Sequence, residues 1–426
     1  MGTMSFLRPT WVGFSFLVFC LFAMVEASGF AASTASSSPA LQSQSVSEKP
    51  KLVHLVGSTK DDYYTAISVF YAKQMVESPW HDGMYDFQFA HVSPDGTWKF
   101  PSSLDREDIM SATSYSYCAA IQHIQEVLKP DVMIPHMYCP DGMTTYRALF
   151  ESLLNIPYVG LDSAHMALTT DKALTRAVVS EAGVRVPEGI AVQDANDARL
   201  EGLTLPLIVK PACEDNSIGL ALCHTREELE KAVKHALTVD SKVMVEQFIP
   251  PGTEIRVGII ENLDGTLSTL PKYEYFVSKE DPIRTMGHKY SDLDDNKELR
   301  VATGNRACPA PSITPEIAAE LDRQALIAFR ALKSRDYNLF DFRVDPDGQC
   351  YFLEACPYVA FAPECVLVAM SNLTGLRNPV FFQNMVELAQ RRRRKTHHLS
   401  DWRENVDVTM RMNMEQAALD PEMHHA

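Results

Sequence analysis

From Lys51 onward, short apolar runs alternate with stretches of helical periodicity, and this alternation limits the fold more than any other feature of the chain. Residues 52–56 read as a strand followed by a helix from about Asp61, and residues 85–91, with Phe87 and Phe89 alternating against polar neighbours, read as a second strand. A helix over 106–128 leads into a strand at 132–135, a helix at 141–154 and a short strand at 158–160. Repeated strand–helix–strand units imply a parallel sheet covered on both faces, so the first domain is expected to be an open α/β layer.

A second block opens with a helix over 172–182, stopped by Gly183, a natural C-cap residue. It continues with a strand at 205–210, a loop at 211–219, and a strand at 220–223. Thr225 and Glu228 have capping-box spacing for a helix running to about Ala236, and residues 243–249 form the next strand. Regular strands follow at 254–261 and 338–344, with Thr314-Pro315 starting a long helix before the second, because proline is tolerated in the first helical turn. The fold class is therefore α/β and α+β, with no internal repeat.

The 426 residues carry 39 Lys+Arg against 55 Asp+Glu, a net charge of −16, which argues against a duplex nucleic-acid binder. One local exception is the basic run from Arg391 to Lys395, read either as a solvated helix end or as a targeting or nucleic-acid patch. The first fifty residues have the pattern of a presequence. Only Arg8 is charged before an apolar stretch at 11–25, too short to span a membrane, and small residues follow at Ala27, Ser28 and Gly29. Residues 27–47 contain no Asp, Glu, Lys or Arg. The run Ala27-Ser28-Gly29-Phe30-Ala31 resembles the Phe-centred cleavage motif of two-part targeting sequences in algae with complex plastids. Entry to the secretory pathway is expected, ending in the plastid or outside the cell with no stable membrane span after processing, a retained signal anchor being the third alternative. No cysteine pair has Cys-x-x-Cys spacing, so a zinc site is not expected, and most cysteines read as buried small apolar residues.

Two segments carry chemistry. Residues 207–209 deliver Lys210 to the small polar loop 212–219, which ends in Gly219. Such a loop either lays backbone N–H groups over a polyphosphate, with lysine supplying charge, or is a surface hairpin. The second segment is the hairpin 340–356 around the turn Asp345-Pro346-Asp347-Gly348. If those four residues form the loop, Val344 pairs with Gln349 and Asp341 opposes Phe352. Strand alternation then puts Asp341, Arg343, Glu354 and Cys356 on one face. Unpaired charges buried there would be costly, so they either pair with one another or hold a cation, for which two carboxylates beside phosphates suit Mg²⁺.

The order of these pieces resembles the ATP-grasp superfamily, and within it the D-alanine–D-alanine ligase branch. The pieces are Lys172 in Asp171-Lys172-Ala173-Leu174-Thr175, Val209-Lys210-Pro211-Ala212, the Glu-x-x-Ser-x-Gly loop at 214–219, Val245-Glu246-Gln247-Phe248-Ile249, Glu254, and the Asp341/Glu354 hairpin. In the first domain, His136 followed by Asp141-Gly142, and then residues 154–160, fit the same branch. The resemblance covers about residues 51 to 390 and implies an ATP-grasp fold behind an N-terminal parallel-sheet domain. Its divisions would be a presequence and linker at 1–50, a substrate domain at 51–161, a central subdomain at 162–245, a C-terminal subdomain with the metal hairpin at 246–390, and a tail at 391–426.

By resemblance, Lys172 and Lys210 would contact the ATP phosphates, with the loop of Glu214, Ser217 and Gly219 closing over them. Glu246, Gln247 and Ile249 would meet the adenine, Glu254 the ribose hydroxyls, and Lys289 the γ-phosphate. Asp341 and Glu354 would bind Mg²⁺, or Mn²⁺ in its place. Asp62 falls where the family has a glutamate holding the first substrate's amine, and His136 lies near the same pocket or is an ordinary hydrogen-bonded core histidine. The resemblance also implies a homodimer through the first domain.

Three departures stand out. Cys356 replaces the asparagine that completes the family's metal shell, and Leu339 replaces an arginine two residues before the metal aspartate, for which Arg343 is the expected substitute. The segment Ala360-Phe361-Ala362-Pro363-Glu364-Cys365 replaces the family's grip on the second amino acid's carboxylate. The expected activity is ATP-dependent joining of a small-molecule carboxylate and amine through an acyl phosphate, with a product other than D-alanyl-D-alanine. The alternatives are a nucleotide-binding protein of the same fold, and a kinase that stops at the phosphorylated carboxylate.

Overall fold

The computed structural model describes residues 49–393 apart from 82, 215–216, 251, 279–281, 285–306, 310–311 and 364. The expectations for the presequence, Lys289, Glu364 and the tail after 393 lie outside the described residues. Among the described residues, no helix is long and apolar enough to cross a membrane.

The N-terminal sheet is built on β1 (Lys51–Gly57), followed by α1 (Asp62–Val76), β2 (Asp86–Val92), β3 (Trp98–Lys99), α2 (Arg106–Ser111), β4 (Ser114–Tyr115), α3 (Tyr117–His123) and β5 (Val132–Pro135). Strand β1 pairs in parallel with β2 on one side and β5 on the other, as the strand–helix alternation predicts. The helix expected over 106–128 is not continuous. After α2 the chain extends, and Ser114–Tyr115 pairs antiparallel with Trp98–Lys99 at the sheet edge before α3 begins. Thr113, Ser114 and Ser116 compete with helix through their own side chains, and Tyr115 gains ring packing against Phe100 at 5.2 Å. The expected helix over 141–154 is likewise broken into α4 (Pro140–Met143), α5 (Thr145–Ala148) and a π turn, Leu149–Leu153. The break falls at Thr144, whose hydroxyl donates to the Pro140 carbonyl at 2.7 Å. Gly142 is required by close approach, since a Cβ there would lie 2.2 Å from Cβ of Met137. The strand expected at 158–160 reduces to a single parallel bridge from Met133 to Tyr158.

Two helices, α6 (Ser163–Thr170) and α7 (Lys172–Glu181), lead into an antiparallel sheet of β6 (Gly189–Val192), β7 (Leu207–Pro211), β8 (Ala221–Cys223) and β9 (Val243–Gln247), in the order β6-β9-β7-β8. Helix α8 (Arg226–Val239) carries the expected capping box, with Thr225 accepting from the Glu228 N–H and Glu228 accepting from the Thr225 N–H. Its Leu229, Val233 and Ala236 share a core with Val209 and Val245.

The third sheet contains β10 (Thr253–Glu261), β11 (Leu267–Thr269), β12 (Tyr273–Tyr275), β13 (Ala307–Pro309), β14 (Tyr337–Val344) and β15 (Cys350–Ala355). Their order is β13-β12-β10-β14-β15, with β11 on β10. One face packs on α9 (Pro315–Ala331): Ile255, Val257, Phe340 and Phe342 share a core with Leu321, Ala325, Ala328 and Phe329. Burying each large side chain contributes about 1.5–3 kcal/mol. The opposite face carries the charged residues of the site. After β15 come α10 (Val366–Leu373) and α11 (378–393), whose Phe381 and Phe382 join Leu52 and Ile134 of the first sheet in one core with Leu339.

The hairpin register differs from expectation. Val344 pairs with Cys350, not Gln349, because Asp345 is bonded to Gln349 in both directions and takes that residue into the turn. A bulge between Asp341 and Phe342 then sets Asp341 opposite Glu354 instead of Phe352. The basic run at 391–395 is also less solvated than expected where it is described: Arg392 pairs with the buried Asp336, and Arg391 pairs with Glu387.

Candidate active site

Between the second and third sheets lies a cleft lined by Lys172, Lys210, Glu214, Ser217, Glu246, Gln247, Ile249, Glu254, Arg284, Asp341, Arg343 and Glu354. Lys172 is the first residue of α7, whose N-cap is Asp171; the Asp171 carboxylate accepts from the N–H groups of Ala173 and Leu174 and pairs with Lys242 at 2.6 Å. From there the Lys172 ammonium donates to the Glu214 carbonyl at 2.6 Å. The polar loop is thus held from its N-terminal side. Within it Ser217 takes a left-handed backbone (φ 64°) and donates to the Arg284 carbonyl at 2.7 Å. Gly219 is also left-handed (φ 70°), and a Cβ there would meet Cγ of Pro211 at 2.8 Å.

The second lysine projects from the end of β7. The antiparallel β7–β9 register brings Lys210 close enough for its ammonium to pair with Glu246 at 2.6 Å, both side chains being largely buried. On the other side of the cleft, β10 and β14 run antiparallel with Glu254 opposite Arg343 and Arg256 opposite Asp341. Arg343 donates to Glu254 at 2.8 Å and to the Ile249 and Pro282 carbonyls, while Arg284 reaches the other Glu254 oxygen at 3.3 Å. Arg256 closes both fork nitrogens on Asp341, Nε to Oδ1 and a terminal nitrogen to Oδ2, each at 2.6 Å. Asp341, Glu354 and Cys356 present one ligand atom each, all within 4.8 Å of one another. Among the described residues this is the one group of three or more His, Cys, Asp or Glu placed to hold a metal ion.

The donor set fits a polyphosphate with its metal: two lysines and two arginines line the cleft, and two carboxylates from adjacent strands meet in it. A family model described as the D-ala D-ala ligase C-terminus matches residues 178–387. The D-alanine–D-alanine ligase of Bacillus cytotoxicus is 31% identical over 280 residues, which cover 62% of this chain and 72% of that protein. The chain belongs to the D-alanine–D-alanine ligase family. Its fold matches the D-alanine-D-alanine ligase from Coxiella burnetii with a TM-score of 0.67 at 20% identity, over 85% of this chain and 99% of that one. The Bacillus anthracis D-alanine–D-alanine ligase solved in complex with ATP matches with a TM-score of 0.60 at 17% identity, over 82% and 100% of the two chains. The protein is accordingly an ATP-grasp ligase.

Within that family frame, the nucleotide and metal residues picked from sequence come together, with Lys289 outside the described residues. Two first-domain residues do not reach the cleft. Asp62 is exposed in the first turn of α1, whose N-cap is Asp61, and His136 is fully buried, sharing a 3.1 Å hydrogen bond with His54. Burial, with Arg147 nearby, lowers the His136 pKa to about 3. Leu339 is enclosed in the core with Val359, Phe361 and Leu367, so nothing charged stands at that position. Arg343 shares the face of Asp341 as expected, but its guanidinium is committed to Glu254.

Three cations were not singled out from sequence: Arg256, Lys60 and Arg284, which pairs with Glu254. Arg256 alternates with apolar neighbours in Thr253–Glu261, as Glu254 does, and that period-two pattern is the signal that could have found it. Lys60, in the loop after β1, pairs with Glu214 at 3.1 Å and joins that loop to the polar loop.

Four of the seven described free cysteines are buried, as expected, whereas Cys118 and Cys213 are exposed.

Proposed function

We propose that the protein is an ATP- and Mg²⁺-dependent ligase that joins a small-molecule carboxylate to an amine, with an acceptor other than D-alanine, and that Mn²⁺ can replace Mg²⁺. The observation that carries this reading is the meeting in one cleft of Lys172, Lys210, Glu246, Glu254, Asp341 and Glu354, drawn from two sheets and a helix. When bound, ATP with its metal supplies the γ-phosphoryl group: the carboxylate oxygen takes it as ADP leaves, and the amine nitrogen then takes the acyl carbon as phosphate leaves and one proton is lost.

The chain's own residues contribute positioning and charge, which is where most of the catalysis of phosphoryl transfer lies. Lys172 and Lys210 neutralise phosphate oxygens, and the Ser217–Gly219 turn covers them. Glu246 fixes the Lys210 ammonium at 2.6 Å. Arg343 and Arg284 aim the Glu254 carboxylate at the ribose. Asp341 and Glu354 hold the metal. No side-chain nucleophile is needed. The altered acceptor side is supported by Ala360, Phe361 and Ala362, which are buried and offer no cation to an acceptor carboxylate. Phe361 packs among Tyr337, Phe381 and Phe382.

Phosphate release from ATP by the purified protein, with Mg²⁺ and a pool of amino acids and small carboxylic acids, tests the reading. Release above an Asp341→Asn control, and more with the pool than with D-alanine alone, is expected. Nucleotide binding without release would identify a nucleotide-binding protein of the same fold. Delivery through the secretory pathway to a plastid or the cell exterior remains our proposal for location, and sequencing the mature N-terminus, expected within residues 27–50, checks it.

A further inference from the structure

We propose that Arg256 acts as a permanent cation of the phosphate centre, so that the Asp341/Glu354/Cys356 cluster takes one divalent ion and excludes a second. The inference rests on the ligase reading and adds the composition of its metal centre.

Strand register places the guanidinium. Arg256 opposes Asp341 across β10–β14, and the bulge in β14–β15 brings Glu354 opposite the same aspartate. Arg256 therefore enters the cluster from one side as Glu354 enters from the other. Its two bonds to Asp341 are 2.6 Å each, and a terminal nitrogen lies 3.3 Å from Sγ of Cys356. The thiol is 3.6 Å from Oδ2 of Asp341 and 3.9 Å from Oε1 of Glu354. A planar fork seated on a carboxylate has little freedom to withdraw. The ring of Tyr275 restrains it further: the Arg256 guanidinium lies 5.0 Å and that of Arg284 3.5 Å from its centroid.

Charge and space then decide the stoichiometry. Paired divalent ions in phosphoryl-transfer sites stand roughly 3.5–4 Å apart and share carboxylates. Here a second ion joining Asp341 to residue 356 would have to occupy the guanidinium's place. Asp341 is neutralised by Arg256, whereas Glu354 has no cationic side-chain partner among the described residues. The three charges sum to one negative, which together with phosphate oxygens serves one hard ion. A thiol at 356 does not recruit another, because sulfur is a poor ligand for Mg²⁺ or Mn²⁺. Arg256 thus supplies the fixed positive charge that a second ion would have brought, at the cost of its adjustable geometry.

Mn²⁺ counted by equilibrium dialysis and electron paramagnetic resonance, with a non-hydrolysable ATP analogue on the full chain, tests this. One Mn²⁺ per protein–nucleotide complex, without the broadening of a spin-coupled pair, is expected. Two ions, or a coupled pair, with nucleotide bound would overturn the inference and leave the ligase reading standing. No nucleotide-dependent Mn²⁺ at all would overturn both. Arg256→Gln is expected to admit a second Mn²⁺ if it folds. Cys356→Asn, which keeps the arginine, is expected to remain at one, and a gain to two there would show that the thiol, not Arg256, excludes the second ion.

Discussion

Lys60 and Glu214 are 154 residues apart in sequence, and their side chains meet at 3.1 Å, joining the loop after the first strand to the polar loop that lines the cleft. The Lys60 ammonium also lies 4.8 Å from the centroid of the Tyr64 ring, which fixes its direction. The pair is partly exposed, so its direct contribution is about 0.2–1 kcal/mol. Lys60→Ala is therefore expected to weaken ATP binding by no more than about fivefold, through a looser loop. A double-mutant cycle with Glu214→Ala, read by nucleotide titration, checks this: the two effects should be non-additive, and full additivity would show that the contact does not hold the loop.

Arg343 is held between Glu254 at 2.8 Å and the backbone carbonyls of Ile249 and Pro282. On the proposed reading those partners hold the nucleotide. Arg343→Ala should accordingly raise the KM for ATP, with kcat changing far less. Losing hydrogen bonds to a charged group costs about 1.5–3 kcal/mol, so the rise should be on the order of 10- to 100-fold. Steady-state kinetics separate the two parameters, and a fall in kcat at constant KM would instead give Arg343 a role in the reacting complex.

What could be read from sequence was mostly local. The Thr225/Glu228 capping box and the Asp345–Gly348 turn depend on residues within one turn of each other, and the structure contains both. Arg256 escaped because its role depends on which strand lies beside β10, and 85 residues separate it from Asp341. The hairpin register slipped for two reasons: Asp345 draws Gln349 into the turn, and a bulge after Asp341 shifts the pairing further. Helices drawn too long at 106–128 and 141–154 show periodicity continuing through Ser and Thr residues that favour other backbone conformations. His136 was visible as a motif residue, but its enclosure against His54 was not, since it arises from parallel pairing of β1 with β5.

The histidines predict acid sensitivity. Burial, with His136 and His81 nearby, holds the His54 pKa well below its ordinary value, and burial lowers His136 to about 3 and His91 and His165 to about 4. Below about pH 6.5 these residues take up protons when unfolded and not when folded, so stability is fully present above that pH and is lost as pH falls toward 4. Each such histidine costs about 1.4 kcal/mol per pH unit within that window. Urea unfolding at pH 7, 6 and 5 should show a steadily falling midpoint, with a shallower fall in His136→Gln. An identical slope in that variant would exclude His136 as a source.

The C-terminal helix supplies the most testable structural contact. Asp336 is fully buried with a left-handed backbone (φ 62°), and it accepts from the Gly160 N–H at 2.6 Å. Arg392 donates to both of its oxygens, at 2.5 and 2.9 Å, and to the Tyr158 carbonyl at 2.7 Å. One arginine of the basic run thus ties the segment after the first sheet, at Tyr158 and Gly160, to the third sheet through a buried carboxylate. Removing it leaves Asp336 charged and enclosed, a change that typically costs about 3–5 kcal/mol. Arg392→Ala should therefore lower stability far more than Arg391→Ala, whose Glu387 partner lies one helical turn away on a half-exposed surface. Chemical denaturation of the two variants in parallel distinguishes them. Equal and small losses would mean that the run is a solvated helix end after all, whereas a large loss confined to Arg392 would show that it closes the joint between sheets.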